Sequence, residues 1–360
     1  MIGDGTESEL KDLLERKFAY AFGTRSAGAV QWIWNTNIYM DNLNESNIGA
    51  LRADGTEKPE AAVLEGFARF IGSIRDWFQD LPLESVAVVY PYSNDLGHRK
   101  IAVEATSRLT RVMAYHLKVP FRAVGEYQLD TLFQDPPRLI MVPSPHNFSR
   151  QARQQLFELA KNHPVTIFWT GPINLDEYWS EYDSGVGVAE TPSSLYANEM
   201  LVLDRQPLFF PFDYRQSVVG LHGRRLYPGQ PAEIHATPLG QGDLLWCPLP
   251  IELSANLEGI ARVYRFALES TQISEGTHWR IEPEPSAVFA RRLEFPGKGS
   301  LYVIVSEAAY PSTVTISEPS GHIRYRLVVP PTRAVLFAVD VHGQLVAVYG
   351  PKDQRIETLS

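Results

Sequence analysis

With 360 residues and 44% hydrophobic content, the chain carries enough apolar material for two or three separate cores, since single cores stop growing well before that length. A net charge of -9, a pI near 5.5 and 33 scattered basic residues exclude the concentrated positive face of a nucleic-acid binder. The lone cysteine, Cys247, excludes an internal disulfide framework; with no basic-then-apolar leader and no run near the ~20 apolar residues of a membrane span, a soluble, cytoplasmic protein is expected.

Thr6 and Glu9 stand at capping-box spacing, and Leu10, Leu13, Leu14, Phe18 and Phe22 recur at helical intervals up to Gly23. That pattern predicts a helix over residues 6 to 22. The run AGAVQWIW that follows reads as a short buried strand ending at Trp34. From Asn35 to Glu57 the chain is polar and turn-rich, and loops of such length in compact domains are usually functional. Within it, Arg52 and Asp54 of the RADG run read as a turn with its ion pair. Lys58-Pro59 opens a second helix, with Val63, Leu64, Phe67, Phe70, Ile71 and Ile74 as its apolar stripe.

From Ser85 the character changes to buried strands alternating with amphipathic helices. VAVVYPYS, RLIMVPS (138 to 144) and VTIFWTG (165 to 171) are strands, and helical patterns run from about Arg99 to Leu117 and from Ser149 to Lys161. Such alternation implies parallel pairing, because each right-handed crossover lays its helix across a sheet face. Shorter β runs follow (FFPFDY, VVGLHG, AEIHAT), then GDLLWCPLP and a strong helix from about Ala255 to Leu268 that closes the domain. After His278, the runs AVFARRLEF, SLYVIVSE, STVTISEP, IRYRLVV, AVLFAVD and LVAVYG are spaced by turn residues as in an antiparallel sandwich. The expected class is α/β in three parts: a partial barrel segment (1–80), a doubly wound, flavodoxin-like parallel-sheet domain (81–274) and a small antiparallel β-sandwich (275–360).

QWIWNTN, NESNIGALRADGTEKPE and the helix after them resemble the eighth strand, loop and helix of the (β/α)8 barrel in clan A glycoside hydrolases, and ESELKDLLERKFAYAF resembles the helix before that strand. The α/β domain resembles the class I amidotransferase-like trimerisation domain of family 42 β-galactosidases, and GQGDLLWCPLPIELSANLEGIARVYRFAL its closing segment. The specificity of the resemblance is concentrated in residues 28 to 60; elsewhere it is one of architecture. It implies a homotrimer acting in carbohydrate metabolism, with a carbohydrate (a β-galactoside or related oligosaccharide) as partner. A full barrel takes ~250 residues, so only its last unit has room here and the catalytic strands would precede Met1. A retaining glycosidase needs two carboxyl groups ~5 to 5.5 Å apart, and the resemblance places both on strands this sequence lacks. No catalytic residue is therefore assigned, the isolated chain is expected to be inactive, and a separate barrel-containing chain is a possible partner.

The resemblance places a tryptophan at the end of the eighth strand, on the floor of the sugar site. Trp34 is the matching residue, and an indole face packs on the C–H groups of a pyranose while its N–H reaches a hydroxyl. Asn35 and Asn37 extend the polar rim of the same strand end, and Glu45 in the following loop is a candidate acceptor for sugar hydroxyls. Against these stand plainer roles: Trp32 and Trp34 as core, and Glu45 as a solvated loop carboxylate.

The amidotransferase resemblance also raises hydrolysis from a strand-to-helix elbow, with WTGP as the corresponding turn. That use is rejected, since Cys247 lies far away in a buried strand and Thr170 has no base beside it. His146 reads as a loop histidine bonding to backbone. The nine histidines are dispersed, so no metal is expected, and SNDLGHRK holds one glycine, too few for a nucleotide cradle. The other reading is a stand-alone assembly or carbohydrate-binding protein, non-catalytic, in which residues 1 to 78 fold back on the α/β domain and bury Phe67, Phe70 and Trp77 against it.

Overall fold

The computed structural model describes residues 6–26, 28–39, 41, 48–79, 82–96, 100–186, 190–195, 197–213, 219–223, 230–273, 279–283, 287–318 and 321–359. At the amino end the capping box forms as its spacing requires. The Thr6 side chain accepts the Glu9 N–H at 3.3 Å and Glu9 Oε2 accepts the Thr6 N–H at 2.7 Å, starting α1 (Glu7–Gly23). Pro59, in the first turn where its missing N–H costs nothing, starts α2 (Pro59–Ile74), which buries Val63, Phe67, Phe70 and Ile74.

The middle of the chain builds its sheet from short apolar strands: β1 (Val86–Tyr90), then α3 (Ile101–Arg111), β2 (Arg122–Gly125), α4 (Asp130–Gln134), β3 (Leu139–Val142), α5 (Arg150–Asn162) and β4 (Thr166–Thr170). Four further strands, β5 (Glu190–Ser194), β6 (Asn198–Leu203), β7 (Gln206–Pro211) and β8 (Val219–Gly223), pair as β5 with β8 and β6 with β7. The chain returns through β9 (His235–Leu239) to β10 (Gly242–Cys247) and closes with α6 (Leu257–Ser270). The six-stranded order is β2-β1-β3-β4-β10-β9. Neighbours are parallel except β9, which runs antiparallel at the edge.

Strand alternation divides the sheet between two cores. Val86, Val88, Leu139 and Met141 face one, with Tyr264 and Ala267 of α6; Ala87, Val89, Ile140 and Val142 face the other, with Leu156 and Leu159 of α5. This is the doubly wound, flavodoxin-like arrangement expected from the strand–helix alternation. Strands β2 and β6 and the short α4 escape a reading by apolar runs, because β2 offers only one buried residue in four and β6 alternates.

The last part is a sandwich of two antiparallel four-stranded sheets. One takes the order β11-β14-β15-β18, from Arg280–Glu282, Ser312–Ser317, Arg324–Val329 and Ile356–Leu359; the other is β12-β13-β16-β17, from Val288–Phe295, Gly299–Ser306, Ala334–Asp340 and Leu345–Tyr349. Tyr302, Tyr325 and Phe337 fill its centre with ring centroids 4.8 to 5.9 Å apart.

The chain divides into two compact units: Met1–Pro82 with His278–Ser360, and Leu83–Thr277. The terminal segments thus share a core. Phe67 stacks on Phe22 and tilts against Tyr349 of β17, at 5.5 and 4.1 Å, and Trp77 meets Phe295 of β12 at 5.4 Å. The Phe67, Phe70 and Trp77 face is covered by the β-sandwich, which corrects the expectation of a face laid on the α/β domain. Glu15 of α1, 1% exposed, completes the joint. Its carboxylate accepts from Arg333 Nε and Nη2 at 2.8 and 2.6 Å, from the Ala334 N–H at 2.8 Å and from the Tyr349 hydroxyl at 3.1 Å.

Candidate functional site

Residues 28 to 34 do not form the buried strand expected of them. Val30 is 91% exposed, Trp32 66% and Trp34 60%. A strand needs a neighbour for its backbone groups, and among the described residues this segment finds one only at a single bridge, Asn35 to Leu51. There the Leu51 N–H donates to Trp34 O at 2.9 Å, and the Thr36 N–H and hydroxyl donate to Leu51 O at 3.0 and 2.7 Å. Gly49 permits the approach: at φ +152° its backbone lies so close that a Cβ would stand 2.7 Å from Thr36 N.

The result is an exposed ribbon carrying Trp32, Trp34, Asn35, Asn37 and Tyr39. Asn37 Oδ1 accepts the Tyr39 N–H at 3.1 Å, which spends part of the amide on local backbone. Glu45 lies outside the described residues. The turn that follows behaves as its sequence suggests, with Asp54 accepting from the Thr56 N–H at 2.9 Å and hydroxyl at 2.7 Å. Those two bonds hold the Asp54 carboxyl below its ordinary range. The hydrogen-bonded ion pair of Arg52 is made with Glu7 on α1, at 3.1 and 2.6 Å, a partner no local spacing announces.

Chemically the ribbon can offer two indole faces and amides to a planar apolar ligand with hydroxyl edges. It does not by itself provide two facing acids. A surface groove of about 420 Å³ beside α1, α2 and β17 is lined by one carboxylate, Glu15, already bonded to Arg333. A groove of about 530 Å³ beside α5 has Glu158 as its one carboxylate.

In the α/β unit the elbow residues are committed elsewhere. WTGP is not a strand-to-helix turn, because β4 runs into a loop at residues 171 to 186, whereas the turn after β3 leads into α5 and holds Ser144 at φ +41°. Thr170 Oγ1 accepts the Ser144 N–H and donates to Glu252 Oε2, both at 2.8 Å. Ser144 Oγ and the Tyr264 hydroxyl also donate to Glu252. That carboxyl is fully buried, and burial pushes it up from its ordinary value. One acid thus ties the ends of β3, β4 and β10 to the closing helix, a link between residues 108 positions apart that no sequence motif signals. Cys247 is buried in β10 and its thiol is pushed up by burial, which disfavours a thiolate. His146 is 1% exposed with Nδ1 3.3 Å from Ser144 O. Among the described residues no three His, Cys, Asp or Glu side chains are placed to hold a metal ion, and no helix is long and apolar enough to cross a membrane.

Neither a family model nor a curated protein matches the sequence. Among solved structures the chain is similar to a GH42 β-galactosidase from G. stearothermophilus, solved as a catalytic mutant, at 12% identity and TM-score 0.58, covering 89% of this chain and 48% of that one. It is similar to the polyextremophilic β-galactosidase of the haloarchaeon Halorubrum lacusprofundi at 13% identity and TM-score 0.57, covering 90% and 49%. A GH42 exo-carrageenase from Bacteroides ovatus aligns at 12% identity and TM-score 0.54, over 92% of this chain and 39% of that one. At such identities the likeness is one of fold, and the chain spans about half the length, or less, of the enzymes it matches. The chain therefore shares its fold with part of the GH42 glycoside hydrolases, as a carboxyl-terminal portion of such an enzyme would.

Proposed function

We propose that this chain is the carboxyl-terminal, non-catalytic portion of a glycoside hydrolase of the β-galactosidase type, in which Trp34, Asn35 and Asn37, with Glu45, form part of the wall of a sugar site. The observation that carries the reading is the exposed indole ribbon at residues 32 to 34, in the QWIWNTN segment whose sequence resembles the last strand of such a barrel. A wall of indole and amide groups orients a pyranose; protonation of the leaving oxygen and attack at the anomeric carbon need two carboxyl groups from elsewhere. In this reading the α/β unit makes the assembly a cytoplasmic homotrimer, and light scattering that gives a monomer at micromolar concentration counts against that part.

The test is reconstitution. The purified chain is mixed with a separately expressed amino-terminal barrel segment of a family 42 β-galactosidase and assayed on an aryl β-galactoside. Turnover is expected from the mixture, and Trp34→Ala is expected to lower it by about tenfold. Turnover indifferent to Trp34, or none from a well-formed complex, overturns the proposal. One observation favours a second reading, a stand-alone carbohydrate-binding or assembly protein, with the β-sandwich in place of the α/β domain as what the amino-terminal segment folds onto: Glu15 of α1, Phe67 of α2 and Trp77 just after it are already packed there. Sugar binding by the chain with no complementation by any barrel segment supports that reading.

A further inference from the structure

The strand order of the parallel sheet reverses between β1 and β3, and open α/β sheets hold ligands outside the carboxyl ends of their strands at such a point. Four exposed aromatic side chains stand on the loops at this edge. Tyr92 follows β1, Tyr127 follows β2, and Tyr178 and Trp179 lie beyond β4, at 51%, 53%, 81% and 50% exposure. The loops are tied to one another. Asn147, after β3, donates to Ser93 O at 3.3 Å and to Glu177 O at 3.4 Å. The Tyr92 and Tyr127 rings meet edge to face at 6.1 Å, and the Tyr127 hydroxyl lies 2.8 Å from Ser93 Oγ. Beneath them Glu126, fully buried, accepts from the Ser93 N–H and hydroxyl at 2.7 Å each and from the Ser149 N–H.

The outer pair is held as firmly. Asp176, 3% exposed, accepts from the Tyr178 N–H at 2.9 Å, the Ser180 N–H at 2.8 Å and Arg150 Nε at 2.8 Å. Rigid rings presented to water mark binding surfaces, since they add contact area without a large ordering cost. The charge around them selects the ligand. Among the described residues of these loops, Asp95, Glu177, Glu181 and Asp183 outnumber Lys100 and Arg150. An anionic ligand meets repulsion there, and so does a second copy of the same acid-rimmed face. A neutral polyol does not, because its C–H faces stack on the rings while its hydroxyls donate to carboxylates and to Tyr127.

We propose that the carboxyl edge of the α/β unit's sheet binds a neutral saccharide on Tyr92, Tyr127, Tyr178 and Trp179, independently of Trp34. The proposal rests on the glycosidase reading only for the choice of probe. Isothermal titration of the full chain with β-1,4-galactotetraose is compared with Tyr178→Ala, with the double variant Tyr178→Ala/Trp179→Phe, and with Trp34→Ala. Since Tyr178 is 81% exposed, an unchanged circular dichroism spectrum and melting point exclude a folding effect. Loss of about five- to tenfold in affinity for Tyr178→Ala, with this binding kept in Trp34→Ala, supports the edge site. Binding that falls with Trp34→Ala and is untouched by both Tyr178 variants overturns it and leaves the Trp34 wall standing. No binding by the parent chain at tetraose concentrations well above ~1 mM, the upper end of ordinary enzyme KM values, also overturns it, while the reconstitution assay still decides the wall.

Discussion

Two pairs of tryptophans show how far neighbours decide what an apolar run becomes. Trp169 of β4 and Trp246 of β10 are register partners in the parallel sheet and are fully buried. Their Nε1–H groups donate to Pro172 O at 2.8 Å and Gly171 O at 2.9 Å, so burial leaves no polar atom unsatisfied. Trp32 and Trp34 lie in a run just as apolar and are 66% and 60% exposed. The difference is pairing: β4 and β10 have each other, whereas the ribbon has one bridge to Leu51. A strand is a property of the sheet it joins.

The sharpest way to break that contrast is to truncate one member of each pair. Trp169→Ala is expected to lower unfolding free energy by about 3 to 5 kcal/mol in urea titrations, through lost burial and a cavity. Trp34→Ala, at the other end of the scale, is expected to change it by less than about 0.5 kcal/mol. Similar costs for both would mean that the ribbon is packed.

Between these lie two buried carboxyls, one in each unit. Glu15→Ala leaves Arg333 with Asp12, 3.4 Å away, as a weaker carboxylate partner and takes the acceptor from the Ala334 N–H and the Tyr349 hydroxyl, and about 3 kcal/mol is the expected loss. Hydrogen exchange should show it as faster opening of α1 and β16, with β3, β4 and β10 unchanged; uniform opening throughout would contradict a local joint. Glu252 is read through pH. Burial holds Glu252 and Glu126 above their ordinary value of about 4.5, so between the two values the folded chain binds more protons than the unfolded one. Their effect on stability is therefore most favourable below about pH 4.5 and declines as pH rises through the folded values, at no more than about 1.4 kcal/mol per pH unit for each group. Glu252→Gln removes its share of that slope, and thermal melts from pH 4 to 8 should show the variant gaining on the parent as pH rises. Parallel curves would show that Glu252 ionises freely in the folded chain.

Much of the fold was legible because its signals are local. The Thr6–Glu9 cap, Pro59, the Val86, Leu139 and Thr166 strands and the hairpin runs after Val288 each carry their pattern within a few residues. What was not legible depends on contacts far apart in the chain. Glu15 reaches Arg333 across 318 positions and Arg52 reaches Glu7 across 45, and neither pair has a spacing that a sequence can display. The terminal segments share one core for the same reason, since complementary faces on α2 and β17 do not announce each other. At the candidate site, the type of residue was readable from QWIWNTN, but its surroundings were not: the run looks like a buried strand, and the absence of paired neighbours leaves it as an exposed ribbon. WTGP looks like a strand-to-helix turn in sequence, whereas the helix follows β3.

The central claim is that these residues hold and orient a sugar without cleaving it. The most direct measurement is release of aryl alcohol from an aryl β-galactoside by the purified chain alone, at high protein concentration and across pH 4 to 8. The account predicts no release above the uncatalysed blank; saturable turnover abolished by replacing a single carboxylate within this chain would contradict it.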